Sequence, residues 1–427
     1  MAKVVAGFRG KKKVVIAMSG GLDSSVAAAL LKKGGFYPEP GRRIDGSTSL
    51  TINPERSRRI DVVGVFMKFW SEPLRGSTRI SADSNTNLRG YENRCCSSEA
   101  EARARKVAKI LKIPFYVFNF EKEFKKRIVN YFLKGCKEGI TPNPCVVCNK
   151  EIKFGLLLEK ALALDADFVA TGHYARLRRE ILNSKVPAGN RRVVGGVESE
   201  IRNYRYKLLK AKDKNKDQSY FLWMLNQEQL KRILFPIGDY TRKEVENSAR
   251  KFKLPVLKAR KSVEICFIQT TINDFLKKHL KPKPGRIVEM ETGKVLGQHK
   301  GLVFYTLGQR KGIGLAGGPY FVLAKDMKKN FLLVSKDEKK LFQKEVFLKD
   351  INWLSGRRAV LPLKVKAKIR YRQVRAAAEV RFTVGKKYQL VFAKPQRAIT
   401  PGQSAVFYRG EELLGGGIIK SKIKTVA

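Results

Sequence analysis

Residues 14–31 read VVIAMSGGLDSSVAAALL. The unbroken apolar run Val14–Met18 is typical of a buried strand, and the alanine- and leucine-rich residues after Asp23 are typical of a helix. The glycines of the intervening Ser19-Gly20-Gly21 let backbone N–H groups approach an anion, and the helix N-terminus adds its positive end. The stretch predicts a nucleotide-binding loop. A glycine turn in which Asp23 or Ser24 only caps the helix is the alternative.

The sequence on either side continues this alternation of strands and helices. Apolar strand candidates at 62–67, 114–118 and 168–171 are separated by helical stretches at 99–111, 121–133 and 154–164. Strands without polar alternation, joined by helices, predict a parallel sheet covered on both faces. Polar stretches near 34–59, 71–94 and 178–205 interrupt the pattern and are predicted to be surface insertions.

The pattern changes after the breaker Pro282-Lys283-Pro284-Gly285, where short β-like runs punctuated by glycine begin. Such runs predict small all-β domains. The fold class is therefore α/β, with a parallel-sheet nucleotide-binding domain over 1–270, a small β-rich domain over 271–340 and a C-terminal β-barrel over 341–427.

Charge and cysteine usage narrow the functional class. The 427 residues include 88 Lys and Arg against 38 Asp and Glu, a formal net charge of +50. A cationic field of this size favours RNA, DNA or an anionic lipid surface as partner. No apolar run is long enough to span a bilayer. Six cysteines without a secreted disulfide pattern favour a reducing, cytoplasmic setting.

A second motif, residues 141–154, reads TPNPCVVCNKEIKF and presents Cys148 before a helix expected to begin near Lys150. A thiol at a helix N-terminus, surrounded by lysines, is expected to favour its thiolate. Half of a zinc site is the alternative, but the chain lacks a second Cys-x-x-Cys or a close His pair.

These motifs carry a family resemblance. The loop SGGLDS resembles that of the PP-loop ATP pyrophosphatases, which adenylate a substrate oxygen. Together with ATGHYAR (170–176), KDQSYF (216–221), SVEICFI (262–268), TLGQRKG (306–312), RYR (370–372) and TPGQSAVFY (400–408), it resembles the tRNA-specific 2-thiouridylase (MnmA) family from Val14 to about Ile419.

The resemblance implies ATP and Mg²⁺ as cofactors, tRNA and a sulfur-donor protein as partners, and a monomer. It implies that Cys148 is the nucleophile and Cys266 the persulfide carrier. The residues implied to contact ATP are Ala17, Met18, Ser19, Gly20, Gly21, Leu22, Asp23, Ser24, Met67 and Gly172. Those implied to lie against the target uridine are Asn143, Pro144 and Cys145. Those implied to contact tRNA are His173, Lys216, Asp217, Gln218, Arg370, Tyr371 and Gln403.

One residue departs from the family pattern, since many relatives have Asp at the position of Cys145. An acid–base role for that Asp is therefore unsupported in this chain. Three thiols, Cys145, Cys148 and Cys266, also allow three-cysteine ligation of an iron–sulfur cluster as a second mechanism. For His173, an RNA contact ranks first, a structural role second and proton transfer third.

The segment 363–372, LKVKAKIRYR, alternates without a break. As a strand it would place Lys364, Lys366, Lys368, Arg370 and Arg372 on one face, about 7 Å apart. That face is predicted to follow an RNA backbone, with a merely soluble basic surface as the alternative.

Two rival functions stay open at the level of sequence. One is another PP-loop enzyme, making 4-thiouridine or lysidine. The other is an RNA-binding relative that has lost catalysis, although the retention of Asp23, Cys148 and Cys266 argues against it.

Overall fold

The computed structural model describes residues 11–33, 60–71, 97–182, 192–194, 197–199, 203–257, 265–268 and 270–420. The predicted insertion 34–59 and all but the first residue of 71–94 lie outside these ranges, as does part of 178–205. Within the described residues, no helix combines the length and apolar character needed to cross a bilayer.

The first domain is built on a five-stranded parallel sheet with strand order β3-β2-β1-β4-β9. Its strands are β1 (Lys12–Ala17), β2 (Ile60–Lys68), β3 (Phe115–Asn119), β4 (Phe168–Ala170) and β9 (Ile233–Leu234). The predicted parallel sheet is confirmed. The fifth strand, β9, is two residues long and pairs with β4.

The helices of the described residues are α1 (Leu22–Lys33), α2 (Ser98–Leu111), α3 (Glu121–Phe124), α4 (Asn130–Lys137), α5 (Pro144–Cys148), α6 (Leu157–Ala163), α7 (Gln227–Lys231), α8 (Arg242–Lys251) and α9 (Ile272–His279). Two π-helical segments, Lys125–Val129 and Asn149–Leu156, join α3 to α4 and α5 to α6. Apolar residues of β1, β2 and α1 form the centre of the largest core cluster.

The middle domain is a four-stranded sheet with order β11-β10-β13-β12. Its strands are β10 (Gly285–Glu289), β11 (Val295–His299), β12 (Phe321–Asp326) and β13 (Phe331–Ser335). Between β11 and β12, residues Leu302–Phe304 form a 3₁₀ turn.

The C-terminal domain is a six-stranded barrel closed by pairing of its first and last strands. Its strands are β14 (Phe342–Trp353), β15 (Leu363–Lys368), β16 (Ala376–Phe382), β17 (Tyr388–Arg397), β18 (Ser404–Arg409) and β19 (Glu412–Ile419). The predicted barrel is confirmed.

The barrel sheet also includes two strands from the first domain. The described arms of the 178–205 insertion are β5 (Ala175–Leu182) and β8 (Asn203–Lys210), which pair along their length, with β6 (Arg192–Val194) and β7 (Val197–Ser199) between them. β8 also pairs with β19. The first domain and the barrel therefore share one eight-stranded sheet.

Candidate nucleotide and thiol site

The glycine loop lies where β1 gives way to α1. Gly20 has φ +70°, and a Cβ there would lie 2.0 Å from the Ala100 carbonyl oxygen. The backbone N–H of Ser19 donates to the Ser24 hydroxyl at 3.1 Å, and the Ser25 hydroxyl donates to the Gly21 carbonyl at 2.8 Å. Only glycine fits the turn, and these side chains hold its shape.

The end of β4 meets this loop. A Cβ on Gly172 would lie 2.6 Å from the Ser24 backbone nitrogen, so the two segments touch directly. After β1 the chain forms β2 on one side of β1. After β3 it crosses over and forms β4 on the opposite side of β1. Ligands of open α/β sheets bind at such a switch point, outside the carboxyl ends of the strands. The structure thus brings Ala17 to Ser24 and Gly172 together, with the half-buried Met67 near the end of adjacent β2.

Asp23 of the loop has two side-chain partners that sequence reasoning did not identify. The Tyr174 hydroxyl donates to its Oδ1 at 2.9 Å, and Nη1 of Arg242 donates to the same oxygen at 3.0 Å. Burial raises the pKa of Asp23, while Arg242, Tyr174 and Lys216 lower it. Lys216, expected at the tRNA, therefore lies within electrostatic range of the loop.

Cys148 is the last residue of α5 and is continuous with the π-helical segment that follows. The helix begins at Pro144, not near Lys150, and the Asn143 side chain caps it by accepting from the Val146 N–H at 3.4 Å. The pKa of the Cys148 thiol is raised to about 12, mainly by burial, which Lys153 opposes and to which Cys266 and Cys145 add. The expectation of a favoured thiolate is wrong for this conformation, because burial outweighs the lysine.

The three thiols of interest form one neighbourhood. The charges of Cys266 and Cys145 both act on Cys148, and Cys266 packs against the apolar cluster that contains Cys148. Cys148 is 7% exposed, whereas Cys145 and Cys266 are half-buried. Across the described ranges, no three His, Cys, Asp or Glu side chains are placed to hold a metal ion. The thiols are thus close enough to interact electrostatically, and ligation of an iron–sulfur cluster by all three stays a prediction.

His173 links the thiol region to the nucleotide loop. Its ring packs against both Phe154 and Phe235, and its Nδ1 hydrogen-bonds the Thr171 hydroxyl at 2.7 Å. Burial lowers its pKa well below 6.5, and Lys153 acts in the same direction. The imidazole is therefore neutral and enclosed, which fits the structural role that ranked second. An RNA contact by the ring would require its exposure.

Two more of the residues predicted to contact tRNA, Asp217 and Gln218, make hydrogen bonds within the protein. The buried Asp217 carboxylate accepts from the backbone N–H groups of Ala211 and Ser219 and from the Ser219 hydroxyl. Gln218 Oε1 accepts from the Tyr174 N–H at 2.9 Å. These bonds position the segment that carries Lys216.

The barrel docks on the loop before Cys145. The Thr141 N–H donates to the Pro401 carbonyl at 2.9 Å, and Nε2 of Gln403 donates to the Thr141 carbonyl at 2.9 Å. Tyr371 packs on Phe221, with ring centroids 4.5 Å apart. Predicted tRNA contacts of the barrel are thus brought beside the predicted uridine site.

The predicted row of five basic residues is only partly correct. Strand β15 ends at Lys368, whose Nζ donates to the Tyr371 carbonyl at 3.2 Å. The Arg370 guanidinium turns back to the carbonyls of Arg397 and Ala398. The strand therefore presents only Lys364 and Lys366 as exposed cations, because the chain bends before Arg370.

Comparison with known proteins places the chain in a family. Residues 12–38 and 43–270 match the tRNA methyl transferase HUP domain, 273–336 the tRNA methyl transferase PRC-barrel domain, and 343–419 the aminomethyltransferase β-barrel domain. The tRNA-specific 2-thiouridylase MnmA of Moorella thermoacetica is 40% identical over 411 residues, covering 95% of this chain and 99% of that protein. The chain belongs to the tRNA-specific 2-thiouridylase (MnmA) family. The MnmA protein of Clostridium perfringens is likewise 40% identical, over 96% of this chain and 99% of its own length.

Proposed function

We propose that this chain is an ATP-dependent tRNA uridine 2-sulfurtransferase that converts the C2 oxygen of the wobble uridine, position 34, to sulfur. The main support for this proposal is that a series of interacting residues connects the nucleotide loop with the thiols. Gly172 touches Ser24, the adjacent His173 packs on Phe154, and Lys153 acts electrostatically on both His173 and Cys148. The residues proposed for uridine activation and those proposed for sulfur delivery thus lie at the same edge of the sheet.

The first step activates a poor electrophile. The uridine O2 attacks the α-phosphate of ATP, pyrophosphate leaves, and the base carries AMP as a leaving group. The loop Ser19 to Ser24 receives the pyrophosphate, since backbone N–H groups and a helix N-terminus stabilise phosphate charge. Asp23 offers the carboxylate oxygen that Mg²⁺ prefers beside substrate phosphates. Bound there, Mg²⁺ would neutralise charge on the phosphate oxygens.

The second step transfers sulfur from a Cys266 persulfide supplied by a donor protein. In one route the terminal sulfur attacks C2 and displaces AMP, and Cys148 then attacks the Cys266 sulfur of the resulting Cys266–S–S–C2 adduct, which releases 2-thiouridine. In the other route Cys148 attacks the inner sulfur first and releases hydrosulfide, which then displaces AMP. Both routes leave a Cys148–Cys266 disulfide that a reductant must open. Attack by Cys148 needs its thiolate, so the buried thiol must first enter a more polar environment. The π-helical segment that adjoins Cys148 is a feature that recurs at functional sites.

The tRNA substrate lies across the first domain and the barrel. The docking of the turn 400–403 on Thr141 supports this placement, because it fixes the barrel beside the predicted uridine pocket. We further propose that the enzyme acts as a monomer.

Reconstitution tests the proposal against its rivals. Unmodified tRNA, ATP and a persulfide donor are incubated with the enzyme, and the digested nucleosides are identified by mass spectrometry. The expected product is 2-thiouridine, whereas 4-thiouridine or lysidine would indicate another PP-loop activity. Absence of tRNA-dependent ATP–pyrophosphate exchange would indicate a non-catalytic RNA-binding protein.

A further inference from the structure

Arg242 lies at the nucleotide loop although it is distant from it in the sequence. It is the first residue of α8, whose N-cap is Thr241, and its backbone N–H donates to Asp213 at 2.9 Å. Its Nε donates to Glu246 at 2.8 Å and its Nη1 to Asp23 at 3.0 Å. The guanidinium is thus fixed on two sides and aimed at the loop.

The surroundings of Arg242 are suited to an anion. Its side chain and that of Asp23 are each 31% exposed, so both line an opening to solvent. Lys216 adds a second positive charge that acts on both Asp23 and Glu246. A guanidinium forms paired hydrogen bonds to phosphate oxygens that an ammonium cannot match in geometry.

Resting on the proposed function, we propose that Arg242 binds the phosphate groups of ATP that leave as pyrophosphate, with Lys216 as the second cation. Asp23 and Glu246 hold the guanidinium in position while the loop is empty. Arg242 is then a substrate-binding residue contributed by α8, outside the glycine motif. The Tyr174 hydroxyl also donates to Asp23 Oδ1, at 2.9 Å, and so helps to hold the carboxylate that Arg242 contacts.

Pyrophosphate binding to the full-length protein, measured by calorimetry with Mg²⁺ present, tests the assignment. Arg242→Met is expected to weaken binding by about 10- to 100-fold, the value of a hydrogen bond to a charged group. Arg242→Lys should lie between Met and the unsubstituted protein. Arg250→Met, on the same helix and bonded to Asn247 at 2.9 Å, is the matched control and should bind normally.

If Arg242 served only to hold Asp23 in position, a different result would be expected. In an Asp23→Asn background, Arg242→Met should still weaken pyrophosphate binding by a similar factor if the guanidinium touches phosphate. No further loss in that background, or normal binding by Arg242→Met and Arg242→Lys, would overturn the inference. Failure of the unsubstituted protein to bind pyrophosphate or ATP would instead overturn the proposed nucleotide site.

Discussion

Nε2 of Gln403 donates a 2.9 Å hydrogen bond to the carbonyl of Thr141, two residues before the Asn143 cap of the Cys148 helix. The neighbouring Gly402 has φ +88°, and a Cβ there would lie 2.9 Å from the Thr141 oxygen. The barrel therefore fixes the position of the loop that leads to the thiols.

Gly402→Ala should displace this loop, since alanine is strained at positive φ and meets the Thr141 carbonyl. We expect kcat/KM for tRNA thiolation to fall by about 10- to 100-fold, as small misplacements at reacting groups do. Gly385→Ala, in open space within the same barrel, is the control and should be unaffected. Equal activity of the two variants would show that the contact does not position the site.

Cys148→Ser and Cys266→Ser should each abolish 2-thiouridine formation, because one removes the nucleophile and the other the sulfur carrier. Adenylation should survive, since neither thiol takes part in that step. Nucleoside mass spectrometry and tRNA-dependent ATP–pyrophosphate exchange measure the two steps separately. Full turnover by either variant with a persulfide donor would contradict the assignment.

The high pKa of Cys148 predicts its alkylation profile. Burial raises this pKa to about 12, so the thiol stays protonated through neutral and mildly alkaline pH. Its labelling by iodoacetamide should be slow at pH 8 and rise about tenfold per pH unit up to pH 10, because the thiolate reacts. Peptide mapping should show faster labelling of the half-buried Cys145 and Cys266. A plateau for Cys148 below pH 9 would indicate a stabilised thiolate.

The exposed cations of β15 predict a salt effect. Replacing Lys364 and Lys366 by Gln should reduce the slope of log affinity for tRNA against log salt by about 2, roughly one for each lost phosphate contact. The same change at the exposed Lys106 and Lys109 of α2 controls for net charge. Equal slopes for both double variants would favour a merely soluble basic surface.

Much of the first domain could be predicted because its signals are local. The apolar run of β1, the glycine loop and α1 are contiguous, and the parallel sheet follows from strands that lack polar alternation. The two-residue strand β9 has no periodicity to detect. Pairing of β8 with β19 joins residues about 200 positions apart, which no local pattern encodes.

The sequence motifs anticipated which residues come together, as for the loop of Gly20 with Gly172 and for the thiols with one another. Properties that depend on tertiary packing could not be predicted from the sequence. The pKa of Cys148 depends on burial that a motif does not report, and the enclosure of His173 depends on Phe154 and Phe235. Arg242 reaches Asp23 only because α8 packs against α1.

The most direct measurement is a single turnover with enzyme carrying an isotopically labelled persulfide on Cys266. After anaerobic reaction with ATP and unmodified tRNA, we expect labelled sulfur at C2 of the wobble uridine, with one AMP and one pyrophosphate released per thiolated base. One Cys148–Cys266 disulfide per thiolated base is also expected, because either route of sulfur transfer ends in that disulfide. Retention of the label on Cys266 after AMP release, or its appearance at another atom of the base, would contradict the proposed transfer of sulfur from Cys266 to C2.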